Sequence, residues 1–196
     1  MFENFRADLA RYLRPEMSLR DRVIEVALNQ GLWAIAVYRF GRWVYTRRPP
    51  LVGPALHGLY LAASKTVEMA SGVFLHPSNQ IGPGLYIGHP GSIHLNPEAV
   101  MGSQCSLSQE VTLGTAAGGH EGAPVVGDRV YLGAGAKVIG KVHIGSDVNV
   151  AANSLVLADV PDGVTVMGVP ARVIFKPGPT AAAKLGSTAS STKPTN

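Results

Sequence analysis

Two apolar rhythms divide this chain. Up to residue 72 the spacing is helical. Ser18 is a capping residue with Asp21 three positions on, and Leu19, Val23, Val26 and Ala27 follow at helical intervals. Residues 32–45 set Ile35, Phe40 and Trp43 among apolar neighbours, and Pro49-Pro50 then breaks the chain. A further helix is predicted over 54–70, with Leu56, Tyr60, Ala63 and Val67 on one stripe.

From Leu75 the period becomes six. An aliphatic residue opens each hexad at Leu75, Ile81, Ile87 and Ile93. The register slips by two and resumes at Met101, Leu107 and Leu113. After a loop it returns at Val126, Leu132, Val138, Ile144, Val150 and Val156. Gly often comes next, and the fifth position is small or aliphatic: Leu85, Gly91, Cys105, Val111, Val130, Ala136, Val142, Val148, Ser154 and Val160. Period six is neither 3.6 nor 2. It predicts a parallel β-helix: three short strands per coil, a tight turn between faces, and leading aliphatics stacked inward about 4.8 Å apart. A sandwich of short strands would not hold that phase from Val126 to Val156. The predicted division is a helical region over 1–72, a β-helix over 73–176 with an extruded loop at 115–124, and a disordered tail over 177–196, which lacks bulky apolar residues.

Composition narrows the function classes. Apolar residues make up 46% of the 196, so a sizeable core is available, and 23 Gly with 14 Pro suit frequent turns. A single cysteine, Cys105, excludes an internal disulfide, and its inward small-residue position makes it core rather than nucleophile. No signal-like apolar run opens the chain, and stretches 26–38 and 51–64 are too short to span a bilayer. A cytoplasmic protein without an integral membrane segment is expected. The net charge of +4 is fed by early arginines such as Arg6, Arg11, Arg14, Arg20 and Arg22, a face suited to anionic lipid or a phosphorylated cofactor. No helix-turn-helix, zinc or RNA-stacking pattern is present, so no nucleic-acid partner is expected.

The stretches IGPGLYIGH (81–89), VTLG (111–114), VYLGAGAKVIGKVHIG (130–145) and VMGVPARVI (166–174) resemble the hexapeptide-repeat acyltransferases, specifically their serine acetyltransferase-like group. GLWAIAVYRFGRW (31–43) resembles the helical region that precedes the prism in that group. The resemblance implies a left-handed coil, acetyl-CoA as donor, a homotrimer that can pair into a dimer of trimers, and active sites between prisms. It makes His89 the general base. An imidazole is suited to taking a hydroxyl proton at neutral pH. The donor is expected along Gly114, Gly133, Ala134, Gly135, Lys137 and Arg172, with Lys141 a further cation for the phosphates. His94, His120 and Glu121 are expected near the acceptor, and Glu98, Glu110 or Glu121 to orient His89.

The sequence also departs from that group. Where serine acetyltransferases carry Asp before the catalytic His, this chain has Gly88; where they carry the Asp that orients it, this chain has Phe74. Their Asp-Arg-His-Pro reads Glu121-Gly122-Ala123-Pro124 here, and their Asp-Pro corresponds to Arg14-Pro15. Free serine carries two charges that a pocket must match. The favoured acceptor is therefore a neutral hydroxyl on a sugar or polysaccharide precursor, with serine as the alternative. A non-catalytic β-helix scaffold is a further alternative. A zinc enzyme is disfavoured: His89 and His94 have suitable spacing, but the third ligand position falls on Gly53. No metal is expected.

Overall fold

The computed structural model describes residues 2–47, 51–116 and 122–175. Four helices come first: α1 (Phe2–Ala10), α2 (Leu19–Leu28), α3 (Gln30–Arg47) and α4 (Gly53–Ser71). The Ser18 hydroxyl accepts the Asp21 N–H at 3.2 Å, as the capping pattern predicts. At the other end, α4 stops on Gly72, whose φ of +64° is left-handed. Helices α3 and α4 pack closely because residue 41 lacks a side chain: a Cβ there would lie 2.1 Å from the Tyr60 ring.

The rest winds into a triangular prism. The first coil comprises β1 (Val73–Phe74), β2 (Gln80–Ile81) and β3 (Tyr86–Ile87). The second comprises β4 (Ile93–Leu95), β5 (Val100–Met101) and β6 (Ser106–Leu107). The third comprises β7 (Thr112–Gly114), β8 (Val125–Val126) and β9 (Tyr131–Leu132), and the fourth β10 (Lys137–Ile139), β11 (His143–Ile144) and β12 (Asn149–Val150). In the fifth, β13 (Leu155–Val156) leads through a bridge at Val160 to β14 (Thr165–Gly168), on which β15 (Ala171–Phe175) folds back antiparallel. Strands three apart pair in parallel until β12, which pairs β14, giving three sheets: β1-β4-β7-β10-β13, β2-β5-β8-β11, and β3-β6-β9-β12-β14-β15.

Every leading aliphatic named above is buried, so period six reports the core directly. The fifth positions are buried too, except Gly91. That exception locates a correction. The sequence places the phase slip after Ile93, but Leu95 is the residue in register with Leu113. The two additional residues therefore lie in the turn 88–92. Ile93 and Leu95 are two apart on one strand and both point inward, so hydrophobicity alone cannot tell which one leads.

A buried ion pair fastens the helices to the first coil. The Arg39 guanidinium grips the Asp8 carboxylate with contacts of 2.8 and 3.0 Å. It also donates to the carbonyls of Ile81 and Gly82, while Asp8 accepts the Leu85 N–H at 2.8 Å. The helical spacing in 19–28 predicts a packed face, yet no residue of α2 is buried.

Candidate active site

The three corners of the prism differ in chemistry. At the corner between the β3 and β1 sheets, each turn has a positive-φ residue, Ser92, Glu110, Gly135 or Asn153, and the first has Gly91 besides. The turns stack through backbone bonds. Glu110 N–H donates to Gly91 C=O at 2.7 Å, Gly135 N–H to Gln109 C=O at 2.9 Å, and Asn153 N–H to Ala134 C=O at 2.8 Å. Above them the Gly168 N–H reaches the Ser154 hydroxyl at 3.2 Å. This column runs over about four strand spacings, roughly 19 Å.

His89 stands at the foot of the column, in the turn enlarged by two residues. It is exposed and makes no hydrogen bond with the described residues. The strand before it is held firmly. The Tyr12 hydroxyl accepts the Ile87 N–H at 2.8 Å and donates to the Ile87 carbonyl at 3.3 Å. Burial, the largest effect, pushes the Tyr12 phenol above its ordinary range, so it stays a neutral donor.

The other expected site residues are divided by the fold. Gly133, Ala134 and Gly135 share the His89 column, two coils above. Their glycines have structural work there: a Cβ on Gly133 would lie 2.7 Å from the Ala152 nitrogen, and Gly135 has a φ of +72°. Lys137 is an outward residue of β10, next to the same corner, and its ammonium donates to the Glu110 carbonyl. Arg172 pairs in register with Met167 at the top of the column. The column's later turns, 133–136 and 151–154, contain no acidic side chain. Asp128 and Asp162 instead accept turn N–H groups at another corner. Later turns free of carboxylates and flanked by Lys137 and Arg172 suit a polyanion with an extended arm.

Gly114 and Lys141 lie at the third corner, where the Gly140 N–H donates to the Gly114 carbonyl at 2.9 Å and Gly122 packs on the Lys141 stem. Glu98 is at that corner as well, across a face from His89 in the same chain. Glu110 is the expected carboxylate that stacks next to the His89 turn. His120 and Glu121 lie outside the described residues.

His94 is the outward residue of β4, directly after the His89 turn. Its ring lies 6.4 Å from Phe74, the residue paired with it in register. The ammonium of Lys65 sits 5.8 Å from the centre of the Phe74 ring. Sequence reasoning missed two residues here, Tyr12 and Gln109. Gln109 stacks on the His89 turn, and its side-chain oxygen is buried without a hydrogen-bond partner. Neither carries a periodic or motif signal, because both act through contacts distant in sequence.

Cys105 is core. Burial, the largest effect, pushes its thiol up to about 11, and the sulfur donates to the Gly127 carbonyl. Among the described residues no group of three His, Cys, Asp or Glu is arranged to hold a metal ion. No described helix is long and apolar enough to cross a membrane.

Known proteins were compared with this chain. Residues 123–158 match the family model "Bacterial transferase hexapeptide (six repeats)". A serine acetyltransferase of Synechococcus elongatus is 32% identical over 179 residues, which are 91% of this chain and 70% of that protein. One from Helicobacter pylori strain J99 is 33% identical over 170 residues, 86% of this chain and 95% of that protein. The crystal structure of the Brucella abortus serine acetyltransferase in complex with coenzyme A superposes with a TM-score of 0.72 at 29% identity, covering 91% of this chain and 69% of that one. The coil described above is thus the left-handed parallel β-helix of these structures.

Proposed function

Because this chain belongs to the hexapeptide-repeat acyltransferases, in their serine acetyltransferase-like group, we propose that it moves an acetyl group from acetyl-CoA to a hydroxyl with His89 as general base. One observation carries the assignment of the base. The single enlarged turn of its corner lifts an imidazole out of the coil at the foot of a column whose later turns carry no acid and which has Lys137 and Arg172 beside it. Acetyl-CoA, when bound, supplies the thioester. Ala134 and the backbone around it would line its arm, with Lys137 and Arg172 nearest its charged end. His89 takes the hydroxyl proton as the acceptor oxygen attacks the thioester carbonyl and returns it to the departing thiolate. Tyr12 fixes the strand that carries the base, and Glu110, stacked beside the turn, is the nearest expected carboxylate to orient it.

Free serine is the acceptor that the names of the relatives support, better than they support the sugar favoured from sequence. The column offers a zwitterion both signs, Glu110 and Lys137. A neutral sugar hydroxyl is the second reading. It is favoured by Phe74, an aromatic residue against His94, and by uncharged Gly122 and Ala123 at the base of the loop. A homotrimer, with the His89 corner at the seam between prisms, belongs to the same proposal.

Release of CoA thiol with L-serine and with nucleotide- or lipid-linked sugars tests the proposal. Turnover with serine supports the first reading, and turnover with sugars alone supports the second. Binding of acetyl-CoA without turnover on any hydroxyl would leave a scaffold instead of an enzyme.

A further inference from the structure

Tyr86 is the outward residue of β3, on the same side of the strand as Gly88 and three residues before His89. Its ring leans along the strand over residue 88, where a Cβ would lie 3.3 Å from Cε1 of the ring. Cε1 is bonded to the carbon that bears the hydroxyl. The phenol is therefore carried toward the His89 turn, into space that a side chain at 88 would otherwise take.

Other side chains hold the ring there. The Tyr12 ring lies 4.7 Å away, centre to centre, and the Arg11 guanidinium lies 5.3 Å from the centre of the Tyr86 ring. Arg11 is itself fixed. It donates to the carbonyls of Gly84 and Cys105 at 2.8 Å and to the Ser106 hydroxyl at 3.0 Å. Yet the Tyr86 hydroxyl makes no hydrogen bond with the described residues. Phe would supply the same packing, so packing does not account for the hydroxyl. Two coils higher, the same register position holds Tyr131, linked to Tyr86 through Ser106. The Tyr131 hydroxyl lies 3.0 Å from the Ser108 hydroxyl. Ser108 lies above Gly88, each being the residue after the Ile87–Leu107 pair. A phenol at this register position thus reaches the edge of the corner. Tyr131 is engaged by Ser108 there, and Tyr86 offers its donor beside the base.

We infer that Tyr86 is an acceptor-binding residue whose hydroxyl donates to a second oxygen of the acceptor, next to the hydroxyl that His89 deprotonates. The ligand class is an alcohol with a further oxygen close to the reacting one, a feature that serine and sugars share. A ring already fixed by its neighbours, with one donor unused, forms such a contact with little ordering cost. The inference rests on the acetyl-transfer reading and adds to it the side of the base, that of β3, on which the acceptor is gripped.

Tyr86→Phe tests it, because the variant keeps the ring and removes the donor. CoA release is followed with L-serine, UDP-glucose and a polyprenyl-diphosphate glucose. On the acceptor that works, KM for the acceptor is expected to rise about tenfold, the effect of one lost hydrogen bond, and to change more than kcat. Acetyl-CoA affinity in titration calorimetry and the pH profile of kcat should match wild type, as a merely structural role would not require. Gly88→Ala, which sets a Cβ against the ring, should raise the same KM. An acceptor KM within twofold of wild type in Tyr86→Phe overturns the inference and leaves acetyl transfer standing. So does weaker acetyl-CoA binding or a fall in solution mass, which would make the hydroxyl a contact to the donor or between copies. Wild type that releases no CoA with any of the three acceptors overturns both.

Discussion

Single residues explain why the site is firm on one side and open on the other. The Tyr12 hydroxyl satisfies both the N–H and the C=O of Ile87, two residues before His89. Tyr12→Phe removes that partner from a buried strand. It should cost about 1–3 kcal/mol, read in denaturant melts, and loosen the base. Cys105 gives a prediction of the opposite kind. Its thiol is raised to about 11 from 9.0, chiefly by burial, so the folded state favours the protonated form. The associated stability is whole below the ordinary thiol value and declines as pH rises from 9.0 towards 11. At neutral pH native Cys105 should resist alkylation and react only in denaturant, and Cys105→Ala should keep its acetyl-transfer activity. Alkylation of the native protein with loss of activity would contradict that placement. At this scale little was legible in the sequence. Tyr12 and Gln109 matter through contacts that join distant segments, and no spacing rule announces them.

Elements were more legible, because the core of this fold repeats its own period. Each leading aliphatic stacks on one three strands away, so Val126 to Val156 specify the later coils almost alone. The same redundancy misplaced the phase slip. Ile93 and Leu95 serve equally as inward residues, and only pairing of Leu95 with Leu113 shows that the additional residues lie in the His89 turn. The helices were legible in their caps and breaks, but not in what they touch: the stripe of α2 reads as a buried face and is not one. A buried link between α1, α3 and the prism is the pair of Asp8 and Arg39, each 4% exposed or less. Arg39→Met leaves Asp8 buried without its partner and strands the Ile81 carbonyl. A loss of about 3–5 kcal/mol is expected in chemical denaturation. A stability within error of wild type would show that apolar packing and the Tyr38 and Arg42 bonds hold the helices without the pair.

For the whole molecule, the proposed working surface is a corner of the prism. His89, Glu110, Ala134 and the Gly168 turn stack along one edge of a rigid prism, an arrangement that a neighbouring prism would turn into a cleft. The corresponding expectation is a solution mass of three chains by light scattering. A strictly monomeric protein that turned over at full rate would refute the shared cleft. Acceptor choice also belongs to this scale: names of relatives favour serine, while Phe74, Gly122 and Ala123 favour a neutral alcohol, and CoA release with each acceptor decides between them. The most direct measurement is on His89→Asn, a change to a smaller polar side chain at an exposed turn that should leave the fold intact. The variant should bind acetyl-CoA as wild type does in titration calorimetry, while CoA release with the working acceptor falls by about 10²–10⁴. Turnover within a few-fold of wild type would show that the base lies elsewhere.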